Sequence, residues 1–269
     1  MSAKPARAWH LPVAFGACEI KVDRAELGKD HSMRVAIIPA RGGSKRIPRK
    51  NIKYFAGKPM IAHSIGAALA SGVFDRVIVS TDDAEIAEVA AAFGAEIPFV
   101  RPPDLADDHT TTAAVMKHAV AAVSRGEDCC TVACCLYATA PFVTAEALRD
   151  GARLLEESGC DYVFTATSYS FPIQRAIRLD PNRRVAMFHP EHMNTRSQDL
   201  EEAWHDAGQF YFGKSRAWLD NIPLFGPTAT VLALPRHRVQ DIDTPEDWRR
   251  AELMYNALTE EPPCAPSAR

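Results

Sequence analysis

Apolar runs and amphipathic segments alternate along the chain from residue 33 onward. The apolar runs predict strands at residues 34–39, 76–80, 96–100, 131–137 and 162–167. The segments between them predict helices at residues 59–71, 84–93, 112–124 and 145–158. Strands that are apolar throughout are buried on both faces, so the pattern indicates an α/β fold with a mostly parallel sheet between layers of helices.

The alternation lapses between about residues 168 and 209. Residues 177–188 predict a β-hairpin that turns at Asp180-Pro181-Asn182, and a polar loop follows it. We interpret this part as an inserted flap, which serves as a lid or as a subunit contact. Strands are predicted again at residues 209–212 and 230–234, and Thr244 and Pro245 predict the start of a last helix.

The pattern predicts one domain, at residues 33–260, which contains the flap. Residues 1–32 carry scattered charges of both signs without an apolar period, which predicts a disordered N-terminal extension, and residues 261–269 predict a disordered tail. Within the extension, residues 11–18 resemble a short export signal that ends at a cysteine. His10 and Pro12 interrupt that pattern and argue against export.

Composition narrows the possible functions. The 269 residues carry a net charge of −3, which gives no electrostatic argument for binding nucleic acid. No apolar run approaches the roughly 18 residues that a membrane span needs. The 7 cysteines are odd in number, and the adjacent pairs Cys129-Cys130 and Cys134-Cys135 place neighbouring side chains on opposite faces of a strand. We therefore expect free, buried thiols in a reducing compartment and a cytoplasmic protein.

A basic loop follows the first predicted strand. Residues 41–50 contain 5 cations and no acidic residue, although the chain as a whole is slightly acidic. Gly42 and Gly43 let the backbone approach a ligand closely, Ser44 adds a hydroxyl, and the cations neutralise negative charge. The loop matches neither the Walker A spacing nor the dinucleotide-binding glycine pattern. It indicates a polyphosphate site at the carboxyl end of a strand; the alternative is a solvated basic loop.

Two carboxylates near the carboxyl terminus predict a metal site. Asp241 and Asp243 are two residues apart, so in extended backbone both side chains point to one side and can share a divalent cation. The cation expected is Mg²⁺, which takes few protein carboxylates and completes its shell with phosphate oxygens or water. The alternative is that these acids favour the positive end of the helix that begins at Pro245, where Asp247 is the better capping residue.

Two further polar groups give weaker signals. His189, His192 and His205 match no usual zinc-ligand spacing, so we interpret them as surface residues. Residues 107–112 contain acids, a histidine and hydroxyls without an activated nucleophile, and we interpret them as a helix entry whose hydroxyls, Thr112 among them, lie near the nucleotide.

The motifs together resemble the cytidylyltransferases that activate acidic sugars, the synthetases of CMP-sialic acid, CMP-Kdo and related products. The resemblance rests on IPARGGSKRIPRKN at residues 38–51 and GKPMI at 57–61. It extends to STDD at 80–83, to RPP at 101–103 with Asp108 after it, and to DIDTPED at 241–247. It implies a Rossmann-like, glycosyltransferase-A-type nucleotidyltransferase fold, dependence on Mg²⁺ and a homodimer.

Several stretches resemble the pseudaminic acid cytidylyltransferases within that family. They are CLYATAP at 135–141, FPIQRA at 171–176, NTRSQDL at 194–200 and HDAGQFY at 205–211. The sialic acid enzymes tend to carry Gln in place of Tyr137 and Asn-Gly in place of Ala207-Gly208. The resemblance implies transfer of CMP from CTP to the anomeric hydroxyl of pseudaminic acid, with a product used to glycosylate flagellin or surface polysaccharide.

The resemblance and the residue chemistry together assign roles. Lys45, Arg41 and Asp243 are expected to be catalytic. The expected nucleotide-binding residues are Arg41, Gly42, Gly43, Ser44, Lys45, Lys50, Asn51, Asp82, Arg101 and Thr112. An arginine fork grips a sugar carboxylate, and glutamines suit hydroxyl and acetamido groups; the expected acceptor-binding residues are Gln174, Arg175, Arg196, Gln198, Gln209 and Tyr211. Asp241 and Asp243 are expected to hold the metal.

Two other functions stay open at this point. One is the same reaction on another acidic nine-carbon sugar such as N-acetylneuraminate or legionaminate, or on Kdo. The other is a non-catalytic nucleotide-sugar binding protein, against which the presence of Lys45, Asp241 and Asp243 argues. In each case the expected partners are a nucleotide and an acidic sugar, with neither nucleic acid nor membrane.

Overall fold

The computed structural model describes residues 33–124 and 129–260. Ten strands occur in this part of the chain: β1 Met33–Pro39, β2 Tyr54–Phe55, β3 Lys58–Pro59, β4 Arg76–Ser80, β5 Cys130–Leu136, β6 Tyr162–Ser168, β7 Ile177–Leu179, β8 Val185–Met187, β9 Trp204–Lys214 and β10 Ala229–Ala233. The helices are α1 Met60–Ser71, α2 Ala84–Ala92, α3 Thr112–Val123, α4 Ala145–Ser158, α5 Ser215–Leu219 and α6 Pro245–Glu260. The expected extension and tail lie outside the described residues.

Six strands form the central sheet in the order β10-β6-β9-β5-β1-β4. β1 runs parallel to both β4 and β5, and β6 runs parallel to β10, whereas β9 runs antiparallel to its two neighbours. The prediction of a mostly parallel α/β sheet is therefore confirmed. The strand predicted at residues 209–212 is the second half of β9, which begins already at Trp204.

Helix boundaries follow the capping residues that the sequence carries. Asp83, Thr111 and Thr144 each accept a hydrogen bond from the backbone N–H three residues ahead, at the starts of α2, α3 and α4. Helices α1 and α4 end before Gly72 and Gly159, which have φ of 68° and can take this left-handed conformation at little cost. The four helices predicted between residues 59 and 158 are confirmed within a few residues.

The strand predicted at residues 96–100 is wrong. Only Glu96 pairs with the sheet, through an isolated parallel bridge to Ile78. Pro98 has no backbone N–H with which to continue a ladder, and Val100 is 75% exposed. The segment runs past the edge of β4 and delivers Arg101 to the carboxyl end of the sheet, where its backbone N–H donates to Thr81 at 2.8 Å.

The insert contains the predicted hairpin. β7 and β8 pair in antiparallel fashion, and the Asp180 carboxylate accepts hydrogen bonds from the backbone N–H groups of Asn182 and Arg184, at 2.9 and 2.8 Å. Such a side-chain turn accounts for the sharp reversal of the chain. Most of the hairpin side chains are exposed, including the apolar residues Ile177, Leu179 and Val185.

The cysteines in the described residues are free thiols, as the sequence predicts. Cys130, Cys134 and Cys135 are buried in the sheet, whereas Cys129 is exposed. Burial raises the pKa of the Cys135 thiol well above its usual range. Cys18 and Cys264 lie outside the described residues. None of the helices in the described part of the chain combines the length and hydropathy of a membrane span.

A small apolar cluster joins the basic loop to the carboxyl-terminal helix. Ile47 from the loop, Phe55 from β2, Ile242 and Trp248 are at most 5% exposed and belong to one buried cluster. Because Ile242 separates the two predicted metal-binding aspartates, its burial beneath the loop brings Asp243 beside the loop cations. Packing of apolar side chains thus brings together two motifs that are about 200 residues apart in sequence.

Candidate active site

A buried amide closes the basic loop after β1. Asn51 is 6% exposed, and its side chain donates a 2.9 Å hydrogen bond to the carbonyl of Arg41 at the other end of the loop. The Asn51 carbonyl accepts a hydrogen bond from the backbone N–H of Ile61 in α1, at 2.8 Å. These bonds hold the two ends of the loop together and fix them to the first helix.

Acidic residues at the start of α2 hold the glycine part of the loop. The backbone N–H of Gly42 donates to Asp82 Oδ1 at 3.2 Å, and Arg49 donates to both oxygens of Asp83 at 2.5 and 3.0 Å. The Arg49 guanidinium lowers the pKa of the Asp83 carboxyl. Because Asp82 lies against the loop backbone, a direct contact of its side chain with a nucleotide stays a prediction.

A cavity of about 300 Å³ lies where β1 and β5 end. Of the residues predicted to bind the nucleotide or the metal, eight line this cavity: Arg41, Ser44, Lys45, Lys50, Asn51, Arg101, Thr112 and Asp243. Gly42, Gly43, Asp82 and Asp241 are not among its lining residues. The carboxyl edge of the parallel strands thus gathers most of the predicted cations at one opening, which suits a polyanionic ligand.

Asp108 binds the two cations that the sequence predicts to be catalytic. Its carboxylate pairs with Arg41, at 2.5 Å, and with Lys45. The Asp108 pKa is lowered, first by the hydrogen bond from Lys45 and then by that from Arg41. Asp107 completes the arrangement, since its carbonyl accepts from Arg41 at 3.0 Å and its carboxylate accepts from the backbone of His109 and Thr110. The segment 107–110 therefore pre-orients the loop cations.

Arg101 is the buried cation of the cavity. It is 4% exposed, its Nε donates to Ser80 Oγ at 3.1 Å, and its terminal nitrogen donates to the Ser80 carbonyl. Burial lowers the pKa of the guanidinium from an ordinary value far above neutrality, and an arginine in a protein keeps its proton. A fixed positive charge therefore lies at the carboxyl end of β4.

Asp243 faces the basic loop. Its carboxylate pairs with Arg46 at 2.7 Å and with Lys50 at 3.2 Å, and Lys50 also donates to the carbonyl of Ile242 at 2.7 Å. Asp247 and Thr244 cap α6 reciprocally: the Asp247 carboxylate accepts from the Thr244 backbone at 2.8 Å, and the Thr244 hydroxyl accepts from the Asp247 backbone at 3.2 Å. Asp247 thus takes the capping role, as the sequence predicts, and leaves the Asp243 side chain directed into the cavity.

Asp241 lines a second cavity rather than the first. This cavity has a volume of about 570 Å³, and Asp241 shares its wall with Ser168, Arg236 and Gln240. The pKa of Asp241 is raised, first by partial burial and then by the negative charge of Asp243. The two carboxylates therefore influence one another while they face neighbouring cavities, so a shared metal ion stays a prediction.

The donor set fits a magnesium ion. No group of three or more histidine, cysteine, aspartate or glutamate side chains in residues 33–124 and 129–260 is arranged to hold a metal. Two aspartate carboxylates are hard oxygen donors, and Mg²⁺ is usually bound by one or two protein carboxylates together with substrate phosphates and water.

Two of the histidines considered as zinc ligands have other partners: His189 pairs with Glu191 at 3.2 Å, and His192 lies 3.4 Å from the Thr195 hydroxyl.

The predicted acceptor-binding residues are not all brought together. Tyr211 lines the second cavity. Gln209 is buried, and its amide donates to the carbonyl of Arg238 at 2.6 Å; the Gln174 amide donates to the carbonyl of Glu201 at 2.9 Å. The others lie on the insert: Gln198 lines a groove beside Phe171, Arg196 pairs with Asp199 at 2.7 Å, and Arg175 is exposed. The acceptor roles of all six residues, Tyr211 included, stay predictions.

Two tyrosines separate the cavities. Tyr137, which follows β5, lines the first cavity, the second cavity and a third, largely apolar cavity of about 320 Å³. Its hydroxyl lies 3.4 Å from that of Thr112, and its ring lies 5.3 Å from that of Tyr211. Burial raises the pKa of both tyrosines. Tyr137 is therefore the boundary between the cation-lined cavity and its neighbours.

Asp206 is a site residue that the sequence did not identify. It lines the second and third cavities, and its carboxylate accepts a 2.5 Å hydrogen bond from the Tyr211 hydroxyl. In a regular strand, residues five apart lie roughly 17 Å from one another and point to opposite faces. β9 bulges between them: its pairing with β6 shifts register between Asp206 and Tyr211, and Gly208 has φ of 62°. The sequence carries little signal for this contact, because the predicted strand begins only at residue 209, after both Asp206 and Gly208.

Comparison with known proteins identifies the family. Residues 35–222 match the family model described as Cytidylyltransferase. The match covers well over half of the chain, so the protein belongs to the cytidylyltransferase family.

Several individual proteins are similar to this chain in sequence or in structure. The pseudaminic acid cytidylyltransferase of Campylobacter jejuni is 48% identical over 221 residues, which cover 82% of this chain and 95% of that protein. The CMP-N,N'-diacetyllegionaminic acid synthase of Legionella pneumophila is 32% identical over 230 residues, which cover 82% of this chain and 96% of that protein. A solved structure of CMP:2-keto-3-deoxy-manno-octonic acid synthetase complexed with CTP has a TM-score of 0.62 at 16% identity, and covers 84% of this chain and all of that one. This last likeness confirms the nucleotidyltransferase fold.

Proposed function

We propose that the protein transfers CMP from CTP to the anomeric hydroxyl of pseudaminic acid, with release of pyrophosphate. The observation that carries the proposal is the 48% identity to a pseudaminic acid cytidylyltransferase along almost the whole of that protein. The cavity adds chemical support, because Arg41, Lys45 and Arg101 line one opening together with the Asp243 carboxylate. Such a set of charges suits a triphosphate and its metal ion.

Arg41 and Lys45 hold the triphosphate in this proposal. Both cations are pre-oriented by Asp108, so a phosphate chain exchanges a carboxylate partner for phosphate oxygens without a large movement of the loop. Arg101, fixed against Ser80, adds a buried charge, while Lys50 and Asn51 fix the loop from behind. Fixed cations of this kind stabilise the charge that grows on the leaving pyrophosphate.

Asp243 and Asp241 are the residues that would hold Mg²⁺. When bound, the ion supplies positive charge at the phosphates. Asp243 is paired with Arg46 and Lys50, which keeps its carboxylate directed toward the cavity. Asp241 faces the second cavity, so the two carboxylates lie at the boundary between the nucleotide and the acceptor.

The second cavity is the proposed acceptor site. It adjoins the first along Tyr137 and contains hydroxyls, Arg236, Arg250 and Asp206, which suit an acidic sugar with many polar substituents. Gln209, Gln174 and Gln198 stay candidates for hydroxyl and acetamido contacts. Arg175 and Arg196 stay candidates for the sugar carboxylate, to which the cavity adds Arg236. A guanidinium can bind a carboxylate through two parallel hydrogen bonds.

A homodimer and a cytoplasmic location complete the proposal. The insert exposes large apolar side chains, including Phe171 and Phe188, and a second copy of the chain would shield them from water. The free cysteines of the described residues suit a reducing compartment. The product would serve in the glycosylation of flagellin or of surface polysaccharide.

The test is product formation by the purified protein. With CTP, Mg²⁺ and pseudaminic acid, we expect equimolar pyrophosphate and CMP-pseudaminic acid, measured by a coupled pyrophosphate assay and by mass spectrometry. ATP, GTP and UTP in place of CTP serve as controls and should support little release. Absence of a CMP-sugar product with CTP, while a CMP-sugar forms from another sugar acid, would overturn the acceptor, and absence with every sugar acid would overturn the transferase activity.

A further inference from the structure

Two hydrogen bonds fix the carboxylate of Asp206 in the structure. One carboxylate oxygen accepts from the Tyr211 hydroxyl at 2.5 Å, and the other accepts from the backbone N–H of Gly208 at 2.8 Å. The pairing of β6 with β9 shifts its register between Phe164 and Ala166, opposite this part of β9. The carboxylate is thus fixed by two donors at a bulge in the strand, while the residue itself stays exposed.

Two cavities of different character meet at this carboxylate. The polar cavity contains Ser168, Arg236 and Asp241. The apolar cavity is walled by Trp218, Ile222, Leu224 and Phe225. A ligand group next to Asp206 therefore has polar surroundings on one side and an apolar wall on the other.

The charge of Asp206 restricts the ligand group that it can face. An ionised carboxylate only accepts hydrogen bonds and has about four lone-pair sites, of which Tyr211 and Gly208 use two. The acceptor is itself an acid, so its own carboxylate is repelled from this position. Of the remaining substituents, an acylamino group has an N–H to donate and an apolar acyl end, which matches the two sides of the position.

We propose that Asp206 is a specificity-determining residue that accepts a hydrogen bond from the N–H of an acylamino substituent of the acceptor. This inference rests on the proposed function, since it concerns the second substrate of that reaction. Tyr211 is a positioning residue in this arrangement, because its hydroxyl orients the Asp206 carboxylate. One relative is named as the synthase of CMP-N,N'-diacetyllegionaminic acid, a diacetylated sugar acid of the class that such a contact selects.

The test compares the acceptor preference of the wild-type protein with that of D206A. The value of kcat/KM is measured for pseudaminic acid and for analogues in which one acylamino group at a time is replaced by hydrogen, with wild-type protein and with D206A. For one of the acylamino positions, we expect D206A to reduce the wild-type preference for the acylamino group about tenfold or more, since a hydrogen bond to a charged group is lost. D150A, which removes a partly exposed carboxylate of α4, is the matched control and should keep the preference.

The outcomes separate the contact from a structural role and from the proposed function. If Asp206 only supports the fold, D206A lowers kcat/KM for all acceptors in proportion, and the unchanged preference overturns the inference. If D206A does not fold, the same measurement is made with Y211F. We expect Y211F to reduce the preference for the acylamino group a few-fold. An unchanged preference would overturn the inference. If none of the sugar acids leads the wild-type protein to release pyrophosphate, the proposed function itself fails, and the inference fails with it.

Discussion

The two sides of the candidate active site are built differently. On the nucleotide side, the polar groups are fixed by partners from the sheet and helices: Asn51 closes the loop and Arg101 is buried against Ser80. On the acceptor side, the insert exposes Phe171 to 82%, and Arg196 pairs with Asp199, three residues away. The residues proposed to bind the triphosphate are therefore fixed at the edge of the sheet, whereas those proposed to bind the acceptor combine a few fixed sheet residues with a surface segment.

The largest expected effect tests the point where the two sides meet. Replacing Asp243 by asparagine keeps the size of the side chain and removes the charge that faces the cavity. We expect kcat to fall by about 10²- to 10³-fold, as on removal of other electrostatic groups at reacting centres, while CTP binding measured by calorimetry changes little. D150N is the matched control on α4. Turnover of D243N close to that of the wild type would contradict a catalytic role for Asp243.

A smaller effect tests whether the nucleotide side is as rigid as its contacts indicate. A Cβ at Gly42 would lie 2.6 Å from Asp83 Oδ2, whereas a Cβ at Gly43 meets nothing within 4 Å. We expect G42A to destabilise the protein by roughly 1–3 kcal/mol, because overpacking displaces the loop or Asp83. G43A is the matched control and should leave the thermal midpoint without nucleotide almost unchanged. Equal midpoints for the two variants would show that the loop yields freely.

The smallest effect is a pH dependence of stability on the same side. Arg49 lowers the pKa of Asp83, so this pair stabilises the folded state above the unfolded pKa of about 3.9 and loses that contribution as the pH falls through the lower, folded value. D83N can still cap α2 but loses the charge. Because the pair is partly exposed, we expect D83N to be less stable by about 1 kcal/mol at neutral pH.

The same variant gives a direct reading of the sign. The difference in unfolding free energy between wild type and D83N should shrink below about pH 4, where the wild-type carboxylate becomes protonated. D150N is the control, because the ion pair that it removes, between Asp150 and Arg153, contributes little to stability. A difference that stays constant from neutral to acid pH would contradict the assignment to the Arg49–Asp83 pair.

The same contrast explains how much the sequence could predict. Some features depend on residues that are close in sequence, and the sequence predicts them: the loop cations, the strand that precedes them and the cap of α6. As expected, one cavity is lined by Arg41, Lys45, Lys50 and Asp243. The sequence predicts a strand at residues 96–100 because apolar residues beside a sheet edge resemble one, but Pro98 has no backbone N–H with which to continue the ladder.

The acceptor side was less readable because its geometry is not local. The prediction that Asp241 and Asp243 face one side rests on regular extended backbone, and the structure places them at neighbouring cavities. Asp206 meets Tyr211 where β9 bulges at Gly208 and shifts its register against β6. A strand read with a period of two places those residues on opposite faces. Contacts that depend on a bulge or on burial beneath a distant loop leave little trace in a single sequence.

The most direct test of the account is acceptor selectivity at a constant nucleotide. The measurement is kcat/KM for pyrophosphate release with pseudaminic acid and with N-acetylneuraminic acid, at saturating CTP and Mg²⁺, together with the KM for CTP for each acceptor. We predict a preference for pseudaminic acid of at least about tenfold, a difference of roughly 1.4 kcal/mol, with the same KM for CTP. A preference for N-acetylneuraminic acid, or release with neither acid, would contradict it.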